Sequence, residues 1–523
     1  MQAASPKAII FRRTHTLVYC ADEYIKDGHR ELMNWLTLRE KDMTGASWVT
    51  FSAHLTDVDT SGRKILRLPG NVPLALLHAA WPTHTVVNVS KPWNKRAISI
   101  KFHTHDYPFR SSVQSTIVDY LVGRNAYSYY TPGASRLVQA GTATGKSYCV
   151  IRAWAERSDV LLGTFAQMGH LINFKTDMLK FTDLTEDEIL VIDDGRADIQ
   201  RMLKDPDKLR TYKAILVLHR TIWNSLNDNI EGTTVKSDNG LCEFVKFAFI
   251  AGIGTHVSDE AHFELRSLIY LGLFLNVDQT YYLTATPNRT DWREDRLLGM
   301  QLPRDHALII KTEARLNVVQ VAYNSNPNIM DIKKSKNIRD YFDIPRFFDY
   351  LMRPDKWVMF EEMLTTMVSR ALIEGGATSV GIVVAGKLEF LDKVIDSLKL
   401  AFPNRTIGNY SSRVKAGQLR TAELDRDIVV TTEKSFNGSV NPLSMTHMIF
   451  FAPITSPVAV EQISGRLRGI DGAQCMLFDM WDEGFPALIE QAKRRKTIFK
   501  KISKDVKSFE YVKDYDLLFA DEE

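Results

Sequence analysis

The most specific chemistry in this chain lies in eight residues, Ala140-Gly141-Thr142-Ala143-Thr144-Gly145-Lys146-Ser147. A strand-like run, RLVQA, leads into them and a helix-forming stretch follows. Small residues let backbone N–H groups close around an anion, and a helix start adds more of them together with the positive end of its dipole. Lys146 supplies a cation that can reach β- and γ-phosphates, and the Ser147 hydroxyl can ligate magnesium. Ala140 stands where the usual pattern has glycine.

A second constellation is acidic. Asp259 and Glu260 end a β-like run in THVSDEAHFE. ATP hydrolysis needs one carboxylate to hold magnesium and another to orient the attacking water. Asp259 is assigned to the metal and Glu260 to the water. An isolated Asp-Glu pair is usually a solvated loop. This one follows the Gly-Lys-Ser loop by about 110 residues and precedes TATP by about 25. The rival pair Asp193–Asp194, in VIDD, has neither neighbour and reads as a strand end with exposed acids. In Leu283-Thr284-Ala285-Thr286-Pro287, the hydroxyls of Thr284 and Thr286 can bond to the acidic segment and relay the state of the nucleotide. A third set, Gln462, Gly465, Arg466 and Arg468 in AVEQISGRLRG, offers arginines that can stabilise charge on a transferred phosphoryl group.

The elements around these residues alternate. From about 105 to 318, apolar runs (RLVQA, VLLGTF, ILVID, AILVLH, THVSDE, TYYLTAT) alternate with helical stretches, which predicts a parallel sheet with crossover helices. A polar stretch at 323–337 marks a junction. A second alternation follows: SVGIVVAG, EFLDKVIDSLKLAF, DIVVTT, HMIFFAP, AVEQISGRLRG and QCMLFDM. The first hundred residues mix short β-like runs with one or two helices. The expected organisation is α/β: a small module over 1–104, a lobe over 105–318, a second lobe over 319–488 and a basic helical tail over 489–523.

In order and spacing, AGTATGKS, DEAH, TATP and QISGRLRG resemble motifs I, II, III and VI of superfamily 2 helicases. PFRSSVQSTIVDYL resembles the adenine-reading glutamine motif of that family, with Gln114 the reader. SVGIVVAGKLEFLDKV resembles motif IV, and IVVTTEKSFNGSVNPLSMTHMIFF resembles motif V around Gly438. The nearest likeness is to UvsW-type recombination helicases of bacteriophages. It extends to GHRELMNWLTLRE and SGRKILRLPGNVPLALL in the N-terminal module. The resemblance implies two RecA-like lobes, ATP and Mg2+ as cofactors, and Lys146, Glu260, Gln462, Arg466 and Arg468 in catalysis. It further implies a nucleotide held by Gln114 and by Gly141 to Ser147, a metal on Ser147 and Asp259, and coupling through His262, Thr284, Thr286 and Gly438. The implied activity is ATP-driven strand separation or branch migration in DNA recombination, repair and replication restart. The expected partner is single-stranded, forked or branched DNA, with recombination or replication proteins, and the chain is expected to act as a monomer.

Three departures bear on this. The motif VI arginines are spaced R-x-R rather than R-x-x-R. On a helix that turns them about 200° apart instead of about 300°, which favours Arg466 over Arg468. Origin-binding helicases of the herpesvirus type share the shorter spacing. Motif V has Gly-Ser-Val-Asn where many relatives have Gly-x-Asp, and the motif Ia candidate LLGTFAQMGH offers only Thr164 for a DNA contact. The alternatives are an origin-binding initiation helicase, a nucleic-acid-binding protein with a degenerate ATPase, and an RNA substrate.

Composition sets outer bounds. The chain has 523 residues, 45% hydrophobic and 25% charged, the ordinary mix of folded proteins. No apolar run of about 18 residues predicts a membrane span. The first residues do not read as a signal peptide. Cys20, Cys149, Cys242 and Cys475 form no CxxC, so neither zinc nor a disulfide framework is expected, and a cytoplasmic setting is. The net charge of +3 is a sum of unlike parts: +6 over 1–105, +7 over 493–507 and −10 over the remainder. Basic ends suit phosphate contacts, and Trp48, Phe51, Trp81 and Trp93 are candidates to stack on bases.

Overall fold

The computed structural model describes residues 8–12, 15–20, 30–41, 48–58, 63–88, 95–124, 135–141, 144–228, 230–236, 243–285, 289, 291–310, 316–338, 340–373, 379–384, 386–414, 422–436, 445–467 and 475–511. Of the residues singled out above, Thr142, Ala143, Thr286, Gly438, Arg468 and Trp93 lie outside this set, as does the side chain of Trp48. The chain divides into two units, Met1–Lys311 and Thr312–Glu523. Among the described residues are three seven-stranded sheets and one two-stranded ladder. No described helix is long and apolar enough to cross a membrane.

The first sheet belongs to the N-terminal module: β1 (Ala8–Arg12), β2 (His15–Cys20), β5 (Leu55–Val58), β6 (Lys64–Pro69) and β7 (His84–Asn88), with β3 (Thr37–Lys41) and β4 (Trp48–Ser52) forming a separate hairpin after helix α1 (Arg30–Trp35). Most of its pairings are antiparallel, and β1 with β7 is parallel. Apolar side chains from this module (Phe51, Leu66, Leu77, Trp81) and from the following lobe (Leu268, Leu271, Leu298) fill one core. Phe51 is 4% exposed and packs on Tyr270 and Trp223, and Trp81 is 2% exposed. Neither of these two stacking candidates can meet a base: burial of a large ring is worth about 1.5–3 kcal/mol, and the core claims both.

The second sheet forms the first lobe. Helix α2 (Ser112–Val122) precedes β8 (Ser135–Ala140) and α3 (Lys146–Arg157). After them come β9 (Val160–Phe165), β10 (Ile189–Ile192), β11 (Ala214–Leu218), a short hairpin of β12 (Ile230–Glu231) and β13 (Thr234–Val235), and β14 (Ile253–Ser258). Helix α4 (Leu265–Phe274), β15 (Gln279–Thr284), α5 (Trp292–Gln301) and β16 (Leu308–Ile310) complete the lobe. The sheet is parallel throughout, in the order β10-β11-β9-β14-β15-β8-β16. Every residue of β9, β14 and β15 is buried, as helices on both faces require. The β12–β13 hairpin leaves the lobe and joins the first sheet, where Thr234 pairs with Thr56.

The third sheet forms the second lobe and is again parallel, in the order β19-β20-β18-β21-β22-β17-β23. Its strands are β17 (Leu316–Tyr323), β18 (Val380–Val384), β19 (Ile407–Tyr410), β20 (Ile428–Thr432), β21 (His447–Phe450), β22 (Cys475–Asp482) and β23 (Asp505–Glu510), with helices α6 (Pro457–Ser464) and α7 (Pro486–Ile502) among its crossovers. Both lobes have the RecA-like architecture, a parallel sheet wound with helices. The basic run expected as a helical tail differs from that picture. Helix α7 stops at Ile502, and the chain continues as an edge strand on β17, with Val506 and Phe509 half-buried. Arg495, in the basic run expected to contact phosphates, is 1% exposed: its Nε donates to Asp479 Oδ1 at 2.8 Å, and Gln320 donates to the other oxygen at 2.8 Å. The helix turns one face inward through Leu488, Ala492, Arg495, Ile498 and Phe499, and Arg495 falls on that face.

Candidate active site

In a parallel sheet the carboxyl ends of the strands lie at one edge, where loops and helix starts converge. In the first lobe, β8 delivers the Gly-Lys-Ser loop there, β14 delivers Asp259 and Glu260, and β15, lying between them, delivers Thr284. At about 4.8 Å per strand, β14 lies about 10 Å from β8, a span that a triphosphate and a metal can bridge. The rival pair Asp193–Asp194 follows β10 at the far edge, five strands or about 24 Å from β8. The backbone N–H groups of both donate to Asp198 Oδ2, at 3.2 and 3.0 Å, which makes this segment a helix start.

Gly145 precedes α3 at φ +79°, and a Cβ there would meet Gln114 Nε2 at 2.5 Å. Only glycine fits both conditions. Lys146 then begins the helix, and its Nζ donates to the carbonyls of Ala140 (3.0 Å) and Gly141 (3.4 Å). The ammonium is thus held back over the loop. Thr144 Oγ1 donates to Gly141 O at 3.0 Å and closes the same turn. Ser147 follows half-buried. Gln114 is 7% exposed; its Oε1 accepts from the Arg110 N–H at 2.9 Å, and its Nε2 donates to Thr144 O at 3.4 Å. It thereby ties the preceding segment to the Gly-Lys-Ser loop.

At the acidic end, the Asp259 N–H donates to Thr164 O at 3.2 Å, and Asp259 Oδ1 accepts from the Glu260 N–H at 3.0 Å. Glu260 sits at φ +48°, a left-handed conformation that is rare for a residue of its size. The strain is held by its neighbours: Ala261 N–H bonds to Leu283 O (3.0 Å) and Phe263 N–H to Glu260 O (2.9 Å). Burial, and then the charge of Glu260, push the Asp259 carboxyl above the usual carboxylate range. His170, from the helix Met168–Phe181, and Lys146 act in the opposite direction. His262, 4% exposed, places Nδ1 2.7 Å from Thr284 Oγ1 and 3.5 Å from Glu260 Oε2. Burial pulls its imidazole down to about 4, so near neutral pH it is an uncharged hydrogen-bonding link. Thr164 is fully buried, its hydroxyl 3.0 Å from His256 Nε2 and 3.3 Å from Val257 O. It therefore offers nothing to nucleic acid.

Two members of this site were invisible in the sequence. His170 stands in the weak segment after β9. Arg289 donates to the carbonyls of His262 and, at 2.7 Å, Phe263, and pairs with Glu294 at 3.1 Å. It joins the acidic loop to α5, and no local pattern marks it.

In the second lobe, Gln462 is 4% exposed on α6 and Arg466 is half-buried just beyond it. The helix stops at Ser464. Arg466 and Leu467 bond back to Ile463 and Ser464, an i−3 pattern, at 3.1 Å each. The helical angle that would rank the two arginines therefore does not apply, because Arg466 already lies in the tightened turn.

No protein-family model and no curated protein matches the chain. Among solved structures it is similar to S. cerevisiae Dbp5 bound to RNA and ADP BeF3, with 14% identity and a TM-score of 0.47 over 78% of this chain and 92% of that one. The Pyrococcus furiosus Hef helicase domain gives 11% and 0.44 over 75% and 99%. T4 UvsW gives 11% and 0.33 over 96% and 99%. What the site can do follows from its own residues.

Proposed function

We propose that the chain is an ATP-driven helicase or translocase that unwinds or branch-migrates DNA in recombination, repair and replication restart. One observation carries the reading. The Lys146 loop and the Asp259–Glu260 pair flank a single strand at one sheet edge, and the Thr284–His262 bond joins that strand to the acids. Two adjacent, poorly solvated carboxylates facing a lysine make a donor set that fits a magnesium–triphosphate complex. Bound Mg2+ would neutralise the β- and γ-phosphate oxygens. Lys146 and the loop N–H groups hold the phosphates, Ser147 and Asp259 hold the metal, and Gln114 faces the adenine. Glu260 orients the water and takes its proton. In the second lobe, Arg466, Gln462 and Arg468 are the residues assigned to catalysis. His262, Thr284, Thr286 and Gly438 pass the nucleotide state to the nucleic-acid face. The basic character of 1–105 and 493–507 supports a polyanionic partner.

The test is ATP hydrolysis by the purified chain with single-stranded, duplex, forked and four-way DNA, alongside RNA. Forked or four-way DNA is expected to stimulate most, and Lys146→Ala to abolish turnover. Equal stimulation by RNA would remove the DNA assignment, and a preference for one duplex sequence would favour an origin-binding initiator. No stimulation by any of them, or full activity in Lys146→Ala, would end the motor reading.

A further inference from the structure

The hydrolysis site leaves two exposed tryptophans of the first unit unexplained. Trp292, the first residue of α5, is 69% exposed, and Trp35, the last of α1, is 39% exposed. Arg296, one turn along α5 from Trp292, lies over both rings, its Cζ 5.0 Å from the centroid of Trp35 and 5.4 Å from that of Trp292. The group joins residues far apart in sequence and comes together only because the N-terminal module packs on the lobe. Arg296 makes one long hydrogen bond, to Asn34 O at 3.4 Å, and has no carboxylate partner among the described residues. Its neighbours differ: Arg293 pairs with Asp291 at 2.7 Å and Arg304 with Asp295 at 2.9 Å. Burial, and then Arg293, lower the guanidinium from its ordinary value, so it is held in place without a counter-charge. Indole surface left in water beside a cation with no carboxylate partner suits a ligand with flat rings and negative charge. The cluster is also wired to the nucleotide end. Arg289 bonds to the carbonyls of His262 and Phe263, pairs with Glu294 on α5, and donates its own N–H to Asp295 Oδ1 at 2.6 Å.

We propose that Trp292 and Trp35, with Arg296 across their rings, form a stacking platform for an unpaired base of a nucleic-acid strand, placed where α5 can feel the acidic loop. This rests on the nucleic-acid reading above and deepens it. Stacking needs a base but tolerates any base, since each has a π-face. A strand of thymidines and an abasic strand of equal length carry the same phosphates and separate the platform from mere charge attraction.

Fluorescence anisotropy with these two strands, on the full chain and on Trp292→Ala and Trp292→Phe, tests it. A thermal melt checks folding, which the exposed side chain leaves intact. The full chain is expected to prefer the thymidine strand by about tenfold, within what one stacked base contributes. Trp292→Ala should erase most of that preference, and Trp292→Phe should keep it. A full preference retained in Trp292→Ala, no preference in the unaltered chain, or equal weakening for both strands would each overturn the platform. Binding of neither strand by the unaltered chain would instead refute the nucleic-acid reading.

Discussion

The two RecA-like lobes share an architecture, and two buried acids of the second are surrounded differently from the strand-end pair of the first. In the second lobe, Asp479 is closed off by Arg495 and Gln320, and Asp482 by Ser325 and the Gly484 N–H. Each buried acid there has its partners within the fold. In the first lobe, burial and the charge of Glu260 raise the proton affinity of Asp259 at the open end of the sheet, with a neutral His262 3.5 Å from Glu260. The first set has its partners within the fold, and the second is the pair proposed to hold a metal ion. A shared fold thus says little about chemistry, while the completeness of the hydrogen-bonding around each acid says a good deal.

The largest effect that could break this contrast is expected in the second lobe. Arg495→Met strands Asp479 in the core, and losing one member of a buried ion pair costs about 3–5 kcal/mol. The denaturant transition of that unit should shift accordingly, and adding Asp479→Leu should recover most of it. An unshifted transition would make the pair incidental. Next in size, Arg289→Met should lower nucleic-acid-stimulated ATP turnover about tenfold, within the usual range of coupling between sites, with strand affinity retained. Equal loss of affinity would place Arg289 in the binding surface instead.

A smaller effect has the opposite sign. Asp259→Asn should abolish hydrolysis and yet raise the thermal midpoint in chelator by a few degrees at pH 7. The Asp259 carboxyl titrates above its ordinary value of 3.8 when folded, so the folded chain holds that proton in a range where the unfolded chain has lost it. That contribution to stability is lost as pH rises through the folded value. The advantage of Asn should therefore be greatest near neutrality and vanish at low pH. A lowered midpoint at pH 7 would mean that the acid pair is satisfied internally after all. The smallest effect concerns the basic end. Deleting 493–523 would remove Arg495 and β23 and damage the lobe, so point changes serve better. Replacing exposed Lys500, Lys501, Lys504 and Lys507 with Gln should leave the fold unchanged and lower the slope of log affinity against log salt by about one for each phosphate no longer neutralised. An unchanged slope would leave them as solvated surface.

What could be read from the sequence was local. The Gly-Lys-Ser loop, the acidic pair and the Thr284 turn are each built by a few consecutive residues between a strand and the next element, so their place at the strand ends could be read from local pattern. The exposed basic run hid Arg495 because its burial depends on Asp479, which arrives from β22. An arginine among Leu488, Ala492 and Phe499 at helical spacing is the signal that could have found it. Phe51 and Trp81 went to the core while Trp35 and Trp292 stayed in water, a choice made by packing between distant segments that no local pattern encodes. Arg466 escaped its predicted helix because the last turn tightened beyond Ser464.

The hairpin β12–β13 has a consequence for how the molecule is made. The edge of β5 pairs with residues 233–235, which belong to the lobe and not to the module. On the ribosome, the N-terminal sheet would be finished only about seven to thirty seconds after β7 has emerged, at ordinary rates of synthesis. Until then it presents an unfilled edge to other nascent chains. Slowing translation between residues 90 and 235 should therefore lower the soluble yield of the protein while leaving its folded form the same.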